Sequence, residues 1–225
     1  MPKNSKYFLL LSVFYVTVLL ISNTLAIKLI SIVGLLVPAG ILCFPISYII
    51  NDVLVEVYGY NSARVTIWYG FMALIFMSTL YTIAAVIEPA PIWNGQAAFE
   101  EFFFQVPRIT CGSFAAYLVG NYLNAWVMSK MKVQSKGRNL WKRTIVSTIV
   151  GEGADSIIFN SIAFIGIYPV KSVASIALAA FALKTLYEVL LTPLTYFIVR
   201  KVKEHENIDV YDIDVSYNPF VKLSK

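Results

Sequence analysis

The sequence predicts an all-α, polytopic integral membrane protein with six transmembrane helices, and three observations carry that prediction. Of the 225 side chains, 58% are hydrophobic and only 14% charged, whereas soluble domains run at roughly 45–50% apolar and about 25% charged. The apolar residues gather in runs close to the roughly 20 residues that cross a bilayer. The Lys and Arg residues collect at alternate ends of those runs, as the positive-inside rule requires. The length allows about six spans and excludes a large attached catalytic or nucleotide-binding domain. Two Cys and one His make a disulfide scaffold and a Cys/His metal site poor prospects. The net charge of +5 would suggest nucleic acid in a soluble chain, but membrane orientation accounts for it here.

Residues 7–27 form an uncharged run between Lys6 and Lys28, too long for the core of a cleavable signal peptide, and make the first span. Residues 29–51 are also uncharged, but Pro38-Ala39-Gly40 breaks the run. The second span is therefore placed at about 39–58, with 29–37 an outer connecting or re-entrant segment. The third span is 65–87, followed by an outer loop over 88–107 with three Pro. The fourth is 108–129, and the fifth and sixth, 144–167 and 172–199, are apolar runs interrupted by ionisable residues. Residues 1–203 then form the membrane domain and 204–225 a polar cytoplasmic tail. Pro45 and Pro193 are expected to kink their helices.

Six spans put both termini on one side. Lys3, Lys6, Arg64, Lys130, Lys132, Lys136, Arg138, Lys142, Arg143, Arg200, Lys201 and Lys203 share that side, while only Lys28, Arg108 and Lys171 fall opposite. Both termini are expected to be cytoplasmic. Orientation explains the basic loop 130–143 without an acidic partner, and Asp209, Asp212 and Asp214 beside His205 read as solvated acids rather than a metal site. The second and fifth spans hold equivalent places in two three-helix halves and both carry acid and amide residues, a weak sign of an inverted 3+3 repeat.

Six ionisable residues fall where a bilayer penalises them by at least a few kcal/mol. Tyr48, Asp52 and Glu56 are spaced by four and form one stripe, with Asn51 beside it. Glu152, Ser156 and Asn160 repeat the spacing, with Asp155 adjacent, and so do Lys184, Glu188 and Thr192. At 1.5 Å rise per residue, Asp155, Lys184 and Asp52 lie about 17–20 Å from the starts of their spans. Three polar stripes at one depth point at one another and form a chamber such as transporters use. Plainer readings stand beside this one: Lys184 and Glu188 can neutralise each other within one helix, and Glu56 can snorkel or meet Arg64. One lysine, however, cannot neutralise Asp52, Glu152 and Asp155. Gly112, Ala116 and Gly120, and Ser147 with Gly151, mark faces where backbones approach. With no phosphate-binding loop, dinucleotide motif or activated nucleophile, an enzyme is not expected, nor any cofactor or metal. What remains is solute translocation, or a substrate-binding subunit that borrows a separate ATPase module.

Three blocks of sequence carry a family resemblance. They are Ser22-Asn23-Thr24-Leu25-Ala26-Ile27-Lys28 with Val37-Pro38-Ala39-Gly40 and the run from Phe44-Pro45-Ile46 through Asn51-Asp52 and Glu56 to Tyr58-Gly59-Tyr60; Gly137-Arg138, Trp141, Arg143, Ser147-Thr148, Gly151, Asp155 and Phe159; and Asp209-Val210-Tyr211-Asp212 with Asn218-Pro219-Phe220. Together they resemble the queuosine precursor transporters, a family once described as vitamin uptake transporters. Glu152 departs from the pattern, in which Gln is common. The resemblance implies import of 7-cyano-7-deazaguanine, 7-aminomethyl-7-deazaguanine or queuine through the cell (inner) membrane for salvage into tRNA. The partners it implies are that small base and the lipid bilayer, with no direct contact to nucleic acid and with a homodimer left open. A carboxylate suits the paired N–H donors of such a base. Asp52 or Asp155 is thus expected to grip the guanine-like edge, with Lys184 or Asn160 donating to the carbonyl and Tyr48, Phe159 or Phe44 stacking. Asn51, Glu56, Glu152 and Glu188 complete the expected lining, and Lys28 and Arg108 are expected to tune the outer mouth.

Overall fold

A computed structural model describes residues 5–213. Lys3, Asp214 and the Asn218-Pro219-Phe220 block lie outside the described residues. Six α-helices account for most of the chain: α1 (Lys6–Leu25), α2 (Phe44–Val86), α3 (Gln96–Phe103), α4 (Val106–Gln134), α5 (Leu140–Phe164) and α6 (Val170–Glu206). Among the described residues, three stretches, Lys6–Leu25, Ala39–Val86 and Val170–Glu206, are long and apolar enough to cross a membrane. Their outer faces keep large apolar side chains exposed, such as Leu9 and Phe14 on α1 and Leu178, Leu190 and Phe197 on α6, as lipid-facing helices do.

Ser5 caps α1, its Oγ accepting from the Phe8 amide at 2.9 Å. The segment after α1 is a two-stranded antiparallel hairpin, β1 (Leu29–Ile32) with β2 (Leu35–Pro38), in register Leu29↔Pro38 to Ile32↔Leu35. Its two-residue turn, Val33-Gly34, has both residues at positive φ, the geometry whose twist suits a hairpin. A short 3₁₀ turn (Ala39–Cys43) then leads into α2. Pro45 sits in the first turn of α2, where no amide hydrogen is needed, so it starts a helix rather than kinking one. Pro193 does lie inside α6.

The chain reverses direction within α2. Ser5 Oγ donates to Tyr58 Oη and Ser22 Oγ to the Gly40 carbonyl, so the first part of α2 runs antiparallel to α1. Ser12 meets Thr66 and Thr24 meets Met77, so the second part runs parallel to α1. The break is Gly59, at φ 80 and ψ 167, a region that is essentially glycine's alone. A Cβ there would also lie 2.8 Å from Val210 Cγ1. Short side chains matter again between α4 and α5, which pack as an antiparallel hairpin. A Cβ on Gly120 would meet the Gly151 carbonyl at 2.9 Å, and one on Gly151 the Gly120 carbonyl at 2.7 Å.

Two regions differ from expectation. The outer loop contains α3, whose Phe103 packs edge-on against Tyr81 of α2. The residues after α6 are not a solvated tail as far as they are described. Asp212 is 5% exposed; both its oxygens accept from the Tyr60 amide at 3.0 Å, and Ser129 Oγ donates to it at 2.6 Å. The Val210 amide donates to the Val57 carbonyl at 3.1 Å. The segment is a strap across the reversal, satisfying the first amide of the second part of α2, which would otherwise be an orphan donor.

Candidate functional site

The three stripes do converge, and they do so as a column of layers rather than as one chamber. Successive members of each stripe are four residues, about 6 Å, apart along their helices, so Tyr48, Asp52 and Glu56 of α2 fall in successive layers. The layer nearest the hairpin centres on Lys184 of α6. Its Nζ donates to Glu152 Oε2 of α5 at 2.9 Å and is paired with Asp155 as well. The same ammonium lies 3.7 Å from the centroid of the Phe44 ring, a cation–π contact in a desolvated place. Lys184 therefore reaches across to α5 instead of pairing with Glu188 one turn along its own helix.

These groups border a cavity enclosed by α1, the 3₁₀ turn, α2, α4, α5 and α6. Of the expected site residues, Tyr48, Glu152, Asp155, Phe159, Asn160 and Lys184 line it. Sequence reasoning missed others, among them Tyr15 and Asn23 of α1 and Tyr117 and Asn121 of α4. Their signal was present as amides and tyrosines within uncharged runs, but attention to charged groups alone passed over it. Two buried amide oxygens facing this region, Asn23 Oδ1 and Asn160 Oδ1, have no hydrogen-bond partner. Asn160 Nδ2, by contrast, is spent on the Ser156 carbonyl at 2.7 Å. Buried polar atoms are rarely left so, and an unpartnered set around a cavity is what a polar ligand would satisfy.

The remaining expected residues lie elsewhere. Asp52 and Glu188 form a middle layer, their carboxyls adjoining, with Thr148 of α5 beside Glu188. Asn51 turns towards α4, where its Nδ2 donates to Asn124 Oδ1 at 3.3 Å. Glu56 forms the layer nearest the termini, and it neither snorkels nor relies on Arg64. It is 1% exposed and gripped by both terminal nitrogens of Arg143, with Lys203 Nζ at 2.8 Å and Lys132 Nζ at 3.8 Å. Lys132 and Arg143, each 1% exposed, are thus buried partners and not merely loop charges that set orientation. Lys132 Nζ also donates to Asp209 at 2.7 Å and to the carbonyls of Glu56 and Val210 at 2.6 Å. Neither expected mouth residue lines the cavity. Lys28 is exposed, and Arg108 donates to the Ile162 and Ile165 carbonyls, capping the end of α5.

Comparison with known proteins meets the sequence where these layers are built. The family model described as "Putative vitamin uptake transporter" matches residues 38–198, from the end of the hairpin through most of α6. The chain belongs to this family of transporters. The probable queuosine precursor transporter of Bacillus subtilis (strain 168) is 28% identical over 186 residues, covering 82% of this chain and 81% of the relative. The queuosine precursor transporter of Escherichia coli (strain K12) is 30% identical over 154 residues, 68% of this chain and 67% of its own. A probable queuosine precursor transporter of Haemophilus influenzae is 30% identical over 125 residues, 56% of this chain and 51% of the relative. No solved structure matches the chain.

Proposed function

We propose that this protein imports a 7-deazaguanine base, 7-cyano-7-deazaguanine, its aminomethyl relative or queuine, through the inner membrane, and that the cavity beside Lys184 is where the base binds. Six passes, α1, the two parts of α2, α4, α5 and α6, cross the bilayer with both termini cytoplasmic. The two three-pass halves form an inverted repeat around the cavity. The names of the relatives support the cargo class, and the make-up of the cavity supports the binding mode.

The observation that carries this reading is one cavity combining a shared ammonium, two carboxylates and flat aromatic walls. A 7-deazaguanine presents ring N–H and NH₂ donors side by side with one carbonyl. Asp155 or Glu152 accepts the two donors as a bidentate pair, and Lys184 donates to the carbonyl. Asn160 and Asn23 offer acceptor oxygens now without partners. Phe44, Tyr48 and Phe159 supply faces for stacking, worth about 1–3 kcal/mol per base in comparable sites. Because the cavity sits on the hairpin side of two further polar layers, a base bound there has entered from outside and has the column still to pass.

The test is salvage. A strain lacking both de novo queuosine synthesis and its own importer is given this gene and each precursor at low concentration, and queuosine in tRNA is measured. Modification is expected with the native chain and is expected to fall at least tenfold with Asp155→Asn. Confirmed membrane expression with no modification from any precursor would overturn the assignment.

A further inference from the structure

The middle layer is not part of the cavity, and its chemistry differs from that of the layers on either side. Asp52 and Glu188 are 1% and 2% exposed, and their carboxyls adjoin. Asp52 Oδ2 is buried without a hydrogen-bond partner, while Thr148 stands against the Glu188 carboxyl. The charged and polar groups facing the pair are Tyr48 and Glu56 on α2, Arg143, Thr148 and Glu152 on α5, and Lys184 one turn away on α6. The two cations are already committed, Arg143 to Glu56 and Lys184 to Glu152 and Asp155. Two ionised carboxylates in contact, away from water and with no cation of their own, repel each other and lose their hydration together. A single proton relieves both costs, since it turns the repulsion into a hydrogen bond and gives an otherwise orphaned oxygen a partner.

We propose that Asp52 and Glu188 form a proton-binding site that couples import to the proton gradient, with one proton carried inward for each base. This rests on the import reading above. The proton is taken up between the two carboxyl oxygens while the column is open to the outside and is lost to the cytoplasm when the Glu56 layer parts. No bond other than O–H forms or breaks, and with a neutral base one positive charge enters per cycle. The pair lies between the cavity and the layer that closes the cytoplasmic side, so its charge state is set where the two ends of the pathway meet. Lys184 links it to the cargo: the ammonium that a base would engage stands one turn from Glu188.

Two measurements test the proposal. In proteoliposomes with radiolabelled 7-cyano-7-deazaguanine, the native protein should accumulate the base above equilibrium when the outside is acidic, and a protonophore should abolish the accumulation. Asp52→Asn and Glu188→Gln should equilibrate the base without accumulating it. Accumulation that survives the protonophore, that follows a sodium gradient instead, or that persists in both variants would overturn the proposal. The second measurement needs no substrate. Infrared spectra of the native protein between about pH 6 and about pH 8 should contain a carboxylic-acid C=O band that either substitution removes. Its absence from the native protein, or its persistence in both variants, would overturn the proton site. Absence of any uptake, with the band present and lost in the variants, would instead count against the cargo assignment.

Discussion

Around Glu56 a single anion is surrounded by three cations, whereas around Lys184 a single cation stands between two anions. Both central groups are buried, and both layers are built from the same three helices, α2, α5 and α6, with Lys132 of α4 added below. The difference lies in what each can do when its central group is lost or diverted. A guanidinium does not give up its proton under any condition the protein meets, so Arg143 without Glu56 is a buried charge with no escape. A carboxylic acid can take a proton, so Glu152 and Asp155 can discharge themselves when Lys184 turns to another partner. The lower layer therefore suits a fixed closure, reinforced by the strap over residues 207–213, and the upper one suits an exchange of partners with a ligand.

The largest effect expected from breaking this pattern is at the lower hub. Glu56→Gln leaves Arg143 buried without its carboxylate, with Asp209 the remaining acid for Lys132 and Lys203, and should cost about 3–5 kcal/mol of stability, the usual cost of removing one partner from a buried ion pair. Thermal unfolding in detergent reads it, and the loss should be the same at pH 5 and pH 7. Lys184→Met removes the upper hub and should abolish import, while its stability cost at pH 7 should be smaller, about 2–3 kcal/mol. That cost should shrink on acidification, because protonating a freed carboxyl becomes cheaper by about 1.4 kcal/mol per pH unit. If Lys184→Met is as damaging as Glu56→Gln, and equally so at pH 5 and pH 7, the contrast between the layers does not hold.

Much of this column was legible in the sequence. Period-four spacing within three apolar runs is a local property, and it placed Asp52, Glu152, Asp155, Lys184 and Glu188 towards one axis, where they are found. Spacing also marked the α4–α5 contact at Gly120 and Gly151. Partner choice was not legible, because it depends on how helices are offset along one another. Lys184 has Glu188 four residues on, yet bonds across to α5. Glu56 has Arg64 nearby in sequence, yet Gly59 turns the chain between them and Arg143 supplies the pair. The strap was missed for a related reason: Asp209 and Asp212 are polar residues near a chain end, and nothing local tells a solvated acid from one that caps a buried amide. The orphaned acceptors of Asn23 and Asn160 likewise become visible only once α1, α2, α4, α5 and α6 enclose a common space.

The strap gives the smallest effect and the finest test of the lower layer. Asp209 receives hydrogen bonds from Lys132 at 2.7 Å and has Lys203 at 3.0 Å, while its side chain remains 41% exposed. Partial burial pushes its carboxyl up, but the hydrogen bonds and charges of the two lysines outweigh that and hold it below the ordinary Asp range. A group whose folded value is depressed stabilises the fold above its unfolded value, and that contribution disappears as the pH falls through the folded value. The docking of residues 207–213 should therefore be constant through neutral pH and loosen only in acid, below the range in which a free Asp titrates. Hydrogen exchange at the Val210 amide, which donates to Val57, reports it directly. Asp209→Asn should raise that exchange modestly at neutral pH and remove its acid dependence, leaving the Glu56 cluster and its protection in place. If the substitution instead exposed Tyr60 and the helix break as fully as loss of Asp212 would, the strap would be held by its charge to the lysines and not by the cap on the broken helix.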